Sequence, residues 1–573
     1  MKHIILKTAV TGLLLMGMVS CADDLNISSI DPKTSPSFNE MELLAKQYGT
    51  LGLTGQIGGS GAQDFGDDEG ESGFYRVVFN LQELCADEIA WAWQDNEDMK
   101  PLTNIAWTQS SARAYWAYQR LSYDVTLYNS YLSEIGDRTD GEYPHYIAEV
   151  RFLRALHFYH FLDLFHKAPF KVDFNFDLPI EKAGVDLYNW IDAELTEIEG
   201  QLAPMGSFNS MDNFGRADQG AAYMLHARLA LNSEVYTDGQ VKDYQKAINY
   251  CNLLIGGPYE LSKATNAKGF TGYEQVFMGD NDENEQARKE IIFPIRQDGN
   301  HIQEHAGSTY LVSSPRIAGM PYSFTDNYWS CNFARRTLVE KFFANVNDCP
   351  LAKAEDIVAY LEKMGWESFP LDEAKVIAAD EELGGTTASI KVAANDDRAL
   401  FYAGVGGCTA KKTRTYDIDG NIKDFLNGLS IVKWQNRRSD DDASKMSGTI
   451  YADTDIPLFR LAEAYLTRAE AKLRLGQDGA LADVNELRSR AHTSQLGGIE
   501  LSQMPDEWCR EFYFEGRRRT DLVRFGLFTS SRYVWPMKGG TAKGTGVDSH
   551  FNVYPIPYND IVGNPNMTQN PGY

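Results

Sequence analysis

Two tryptophans, Trp91 and Trp93, flank a single alanine and lead directly into Gln94-Asp95-Asn96-Glu97-Asp98. At strand spacing, residues two apart point to the same side, so the pair presents two aromatic planes beside amides and carboxylates. That combination suits capture of a neutral sugar polymer. The C–H faces of pyranose rings need large rigid apolar planes, and the hydroxyls need a few well-placed polar groups. A second loop, Thr325-Asp326-Asn327-Tyr328-Trp329-Ser330, has the same make-up. Of the other tryptophans, Trp116, Trp190, Trp434 and Trp508 sit in helical or apolar surroundings that assign them to the core, while Trp107, Trp366 and Trp535 fit either role.

Other chemistries find less support. His301-Ile302-Gln303-Glu304-His305 spells the HxxEH pattern of inverted zinc peptidases, which needs both histidines on one helical face. Gly299 and Asn300 before it and Ala306-Gly307-Ser308 after it predict a loop instead. Asp280-Asn281-Asp282-Glu283-Asn284-Glu285 starts like an EF-hand loop, yet Glu285 stands where that loop needs glycine. The 80 acidic residues offer many carboxylate pairs of the kind a glycoside hydrolase uses, but no motif singles one out. By spacing alone, Asp68 and Arg76 read as a local ion pair pinning a glycine-rich loop.

A net charge of -26 argues against nucleic acid or anionic lipid as partner. A composition of 43% hydrophobic and 23% charged residues is that of an ordinary globular protein. The seven cysteines show no CxxC spacing and are too sparse for a disulfide scaffold or a zinc site. The chain opens with Met1-Lys2-His3-Ile4-Ile5-Leu6-Lys7, runs mostly apolar from Thr8 to Val19, and reaches Cys21 through Met18-Val19-Ser20. This is a signal-peptide layout, too short for the ~20 residues of a membrane span. Its end resembles a lipobox, so residues 1–20 are expected to be removed and Cys21 to carry lipid. Cys21-Ala22-Asp23-Asp24 also resembles the acidic mark that sends lipoproteins of Bacteroidetes to the outer cell surface.

The elements that must hold the aromatic loops are helical. Apolar residues recur at helical spacing over Ala148–Phe165, Tyr188–Leu202, Arg216–Tyr236, Tyr244–Ile255, Pro457–Leu475, Ala480–Ala491 and Glu507–Phe525. Two tight pairs stand out, Arg216–Tyr236 with Tyr244–Ile255 and Pro457–Leu475 with Ala480–Ala491. The first helix of each is rich in alanine, and the style is that of tetratricopeptide repeats without the strict signature. Residues 21–40 read as a flexible tether and residues 41–573 as one domain. Gly52–Pro101 and Gly256–Asp455 read as structured loops with short strands over a mainly α scaffold.

Several blocks carry a resemblance to a known family. They are Ala148-Glu149-Val150-Arg151-Phe152-Leu153-Arg154-Ala155 with Asp163-Leu164-Phe165, and Asp455-Ile456-Pro457-Leu458-Phe459-Arg460-Leu461-Ala462-Glu463-Ala464-Tyr465-Leu466 with Asn485-Glu486-Leu487-Arg488. Glu515-Gly516-Arg517-Arg518-Arg519-Thr520-Asp521, Tyr554-Pro555-Ile556-Pro557 and the ending Gln569-Asn570-Pro571-Gly572-Tyr573 complete the set. In order along the chain they resemble the SusD/RagB family of outer-membrane nutrient-binding lipoproteins. The resemblance implies a non-catalytic surface protein that captures a nutrient for a SusC-like TonB-dependent transporter. The segments around Asp68–Arg76, Trp91–Gln94 and Ala318-Gly319-Met320-Pro321 are most similar to starch-binding members, which implies starch or malto-oligosaccharide as ligand. On that basis Trp91, Trp93 and Trp329 fall on aromatic-arc positions, Asp68, Arg76 and Asn96 on hydroxyl-binding positions, and His305 where the arc has a tyrosine. The resemblance also implies a structural calcium on Asp282, Asp453 and Asp455. The alternative is capture of another glycan or a peptide by the same fold.

Overall fold

The computed structural model describes residues 39–55, 64–65, 70–96, 98–322, 324–352, 359, 373–406, 415–416, 422 and 428–573. They fall into two units: residues 1–45, of which 39–45 are described and are helical from Glu40, and residues 46–573. The larger unit is mainly helical. Its helices include α1 (Phe74–Glu83), α2 (Ala112–Ile135), α3 (Tyr143–Phe165), α4 (Gly184–Ile198), α5 (Gln219–Leu231), α6 (Tyr244–Ile255), α7 (Leu461–Leu475) and α8 (Ala480–Arg490). Among the described residues no helix is long and apolar enough to cross a membrane.

From Ala148 to Phe165, α3 is buried on almost every side, a pattern helices adopt only when neighbours cover them all round. α2 and α4 both pack on it. Further along, α5 packs on α6 and α7 on α8, and α6 also packs on α7, so the two alanine-rich pairs form one stack. Ala221, Ala222, Ala227 and Ala230 of α5 and Ala462, Ala464, Ala469 and Ala471 of α7 are all buried, as close helix approach requires. Asp218 caps α5 by accepting the Gly220 N–H at 2.8 Å. Gly476 ends α7 with a φ of 66°, the left-handed turn that glycine supplies without a Cβ clash.

Several segments differ from the periodicity reading. Ile456–Arg460 is a strand that pairs with Ile291–Ile295, so the expected helix from Pro457 begins only at Leu461. The expected helix Glu507–Phe525 is two helices, Met504–Phe512 and Arg518–Arg524, broken where Phe514 and Gly516 take φ of 61° and 73°. α2 escaped the reading altogether. Its buried face includes Arg113, Arg120, Asp124 and Asn129, so polar groups blur the apolar period. Those groups are paired inside: Arg120 donates to Asp64 at 2.9 Å and to Asp124 at 3.4 Å, and Asp124 also meets His157 at 3.1 Å. α1, too, is a fully buried helix within a stretch expected to be loop.

The described strands form two-stranded antiparallel ribbons. In one of them β1 (Ile89–Trp91) pairs with β2 (Asn332–Ala334), with Trp91 opposite Asn332. This ribbon joins the first aromatic segment to the end of the second.

Candidate functional site

A cleft of about 320 Å³ is lined by Glu71, Arg76, Trp91, Trp93, Asn96, His305, Asn327, Trp329 and Cys331. Six residues picked out in the sequence, Arg76, Trp91, Trp93, Asn96, His305 and Trp329, meet there. Asp68 lies outside the described residues.

Backbone lacing builds the cleft. The Ala92 N–H donates to the Cys331 carbonyl at 2.7 Å, extending the β1–β2 ribbon. The Trp329 and Cys331 N–H groups donate to the Ser313 and Ser314 carbonyls at 3.1 and 2.8 Å, anchoring the loop on the short helix Ser308–Ser313. The Asn327 side chain donates to the Ile450 carbonyl at 2.6 Å. The turn at Gly70–Gly73 lies directly on the His305 segment. A Cβ at Gly70, whose φ is 93°, would stand 2.7 Å from the His305 carbonyl carbon, and one at Gly73 would stand 2.2 Å from the Ala306 Cβ. Buried Glu304 clamps this junction from below, accepting the Thr54 N–H at 3.1 Å.

The rings run in sequence along and behind the cleft wall, with Tyr310 and Tyr451 backing the rings that line it. Trp93 and Trp91 are 6.1 Å apart, Trp91 and Tyr310 6.3 Å, Tyr310 and Trp329 6.1 Å, Trp329 and His305 5.6 Å, and His305 and Tyr451 5.2 Å. The Arg76 guanidinium lies 4.4 Å over Tyr310 and 5.8 Å from Trp329, and donates to Glu71 at 3.2 Å and to the His305 carbonyl at 3.3 Å. Its buried Nε has no hydrogen-bond partner among the described residues. Arg113 also pairs with Glu71. Burial pushes the Tyr310 hydroxyl well above its ordinary pKa, so it stays a neutral donor, given to Asn80 at 3.0 Å.

Trp91 and Trp93 do not present parallel faces. The chain bends after Trp91, the rings meet at 75°, and Trp91 is 2% exposed against 38% for Trp93. The arrangement offers apolar planes, a cation fixed by rings, an amide and a carboxylate. Among the described residues Glu71 is the one carboxylate lining the cleft, and both its oxygens are held by arginines. Glycoside hydrolysis calls for two carboxyl groups across the bond.

The residues that the sequence did not single out are Glu71, Asn327, Cys331, Tyr310 and Tyr451. Glu71 sits within the Asp68–Arg76 segment marked by the family resemblance, and Asn327 within the polar, aromatic loop Thr325–Ser330. Tyr310 and Tyr451 arrive from elsewhere in the chain, and no local pattern marks them.

A family model described as the SusD family matches residues 396–573. The whole chain is 50% identical, over 574 residues covering 99% of it and 98% of the relative, to "Starch-binding protein SusD" of Bacteroides thetaiotaomicron. The chain belongs to the SusD family. Its fold is similar to that of a SusD-like protein from Bacteroides fragilis, with a TM-score of 0.64 at 18% identity, covering 96% of this chain and 100% of the other. It is also similar to a surface glycan-binding protein A from Bacteroides thetaiotaomicron in complex with laminarihexaose, with a TM-score of 0.63 at 18% identity, covering 93% and 98%.

In this SusD-family chain the remaining expectations sort by burial. Trp434, Trp508, Trp535 and Trp107 are core residues. Trp190 is half-buried between Phe158 and Phe170, and Trp116 is half-buried under Arg113. Trp366 and Cys21 lie outside the described residues. His301-Ile302-Gln303-Glu304-His305 is not helical. His301 faces solvent with its side chain 82% exposed, while His305 turns into the cleft.

Of the three expected calcium ligands, Asp282 and Asp455 share one guanidinium, that of Arg296, at 3.0 and 2.8 Å. Asp453 is held apart from them, accepting the Gly299 and Ser447 N–H groups, each at 2.9 Å. Burial pushes Asp455 up to about 8 against the opposing charge of Arg296, and Asp282 is raised as well, chiefly by burial. Among the described residues no three His, Cys, Asp or Glu side chains stand together as a metal site, so an ion here would have to displace Arg296 and draw Asp453 in; the donor type, carboxylate oxygen, is that of a hard cation.

Proposed function

We propose that this chain is a non-catalytic, lipid-anchored glycan-binding protein of the outer cell surface. It takes up α-glucan chains of the starch class and hands them to a SusC-like TonB-dependent transporter. The observation that carries the reading is the convergence of Arg76, Trp91, Trp93, Asn96, His305 and Trp329 on one cleft. Its ring-lined walls suit the C–H faces of pyranose sugars, and Arg76, Asn96 and Glu71 suit their hydroxyls. The 50% identity to a protein named for starch binding supports the choice of ligand class. Cys21 supplies the anchor in this reading. Calcium held by Asp282, Asp453 and Asp455 would add charge compensation away from the sugar and no chemistry on it.

Electrophoresis through native gels containing amylopectin, laminarin or inulin tests the ligand. Selective retardation by amylopectin is expected. Retardation by laminarin or inulin alone would replace starch with another glycan.

A further inference from the structure

A second cavity, of about 370 Å³, opens on the other end of the loop that carries Trp329. Met320, Pro321 and Tyr322 line it, whereas Asn327 and Trp329 line the first cleft. Asn327 is five positions beyond Tyr322, which places their Cα atoms within about 18 Å of each other. That span is within the reach of a single polysaccharide chain.

The cavity has the make-up of a sugar subsite. Tyr322 is 42% exposed and rests one face on the Arg437 guanidinium, 4.6 Å away. Arg437 in turn lies 4.8 Å from the Phe270 ring and is fixed by Asp441 at 2.7 Å. The tyrosine is thus backed by a cation that is itself held on two sides. The far wall is equally fixed: Asp380 accepts the Tyr402 hydroxyl at 2.7 Å and the Val405 N–H at 2.6 Å. Between them Glu381, Thr386 and Gln435 bring hydrogen-bonding groups to the space.

The loop keeps this geometry against its backbone preference. Tyr322 and Phe324 have φ of 54° and 44°, a left-handed conformation that bulky residues rarely adopt. Such conformations persist where the surroundings hold them, and they cluster at binding sites. Here the Tyr322 N–H is tied to Glu373 at 2.8 Å.

We infer that the Tyr322 cavity is a second glycan subsite, which engages a distant part of the same α-glucan chain held in the Trp93–Trp329 cleft. The inference rests on the α-glucan reading of the first cleft. Joining two weak subsites through one ligand raises overall affinity without new contacts at either, so the gain belongs to long chains only.

The test compares amylopectin with maltotriose for wild type, Tyr322→Ala, Tyr322→Phe and Ala388→Trp, using affinity gels and calorimetry, with thermal unfolding as a check on folding. Ala388 is an exposed residue lining the cavity, so tryptophan there fills it from outside. Tyr322→Ala and Ala388→Trp are expected to weaken amylopectin binding about 10-fold or more and leave maltotriose binding within about 2-fold. Tyr322→Phe should stay near wild type. Unchanged amylopectin binding by both Tyr322→Ala and Ala388→Trp overturns the second subsite while the first cleft stands. Failure of the wild type to bind either glucan overturns the α-glucan reading, and this inference with it.

Discussion

The Trp91 indole N–H donates to the backbone carbonyl of Trp93 at 3.0 Å, so the buried ring fixes the chain that presents the exposed one. The two tryptophans therefore do different work. Trp93→Ala removes an exposed plane and should weaken glycan binding by about 2 kcal/mol, roughly 30-fold, with little change in stability. Trp91→Ala empties a buried site and should cost about 3–5 kcal/mol of folding stability as well as binding. Calorimetry paired with denaturant unfolding separates them; equal effects of the two on stability would contradict this division.

Arg76 reaches Glu71, the His305 carbonyl and the Tyr310 ring at once. A lysine ammonium is a point charge that cannot span a carboxylate and a carbonyl while stacking on a ring. Arg76→Lys should therefore lower glycan affinity about 10-fold, or about 1.4 kcal/mol, despite keeping the charge. Wild-type affinity in titration calorimetry would show that only charge matters there.

Away from the cleft, Glu511 is fully buried at the centre of Arg398, Arg460 and Arg490. Burial pushes its carboxyl up, but Arg490, Arg460 and Arg398 outweigh that and hold it down at about 2. A folded-state value below the ordinary 4.5 means that the stabilisation is present above pH about 4.5 and is lost as pH falls toward 2. Glu511→Gln should cost about 3–5 kcal/mol near neutral pH by leaving three arginines under-paired. It should also flatten the stability profile between those two pH values, and a variant as acid-sensitive as wild type would place the titration elsewhere.

Calcium should raise the thermal midpoint and chelation with EDTA should lower it, because Asp282 and Asp455 share a single guanidinium. Differential scanning fluorimetry reads this directly. Identical midpoints with calcium and with EDTA would mean that Arg296 suffices as counter-ion.

How far the sequence carried depends on where each signal lived. α6 was legible from end to end and α5 nearly so, because alanine and apolar residues repeat on their buried faces. α2 was not, since its interior face is built from Arg120, Asp124 and tyrosines paired across the core. Trp93 and Trp329 were legible as aromatics set in polar loops. The burial of Trp91 was not, because it arises from a bend after the strand. Tyr310 and Tyr451 were invisible for a different reason: their place between and beside Trp91, Trp329 and His305 is made by contacts between segments far apart in the chain.

Trp329 meets Tyr310, His305 and the Arg76 guanidinium in the middle of the ring sequence, and glycan capture in this cleft depends on it most directly. The decisive measurement is affinity electrophoresis of wild type and Trp329→Ala in native gels with and without amylopectin. Wild type should be retarded by amylopectin and Trp329→Ala should migrate as in the blank gel. A wild type that runs unretarded, or a Trp329→Ala variant held back as strongly as wild type, would contradict starch capture by this cleft.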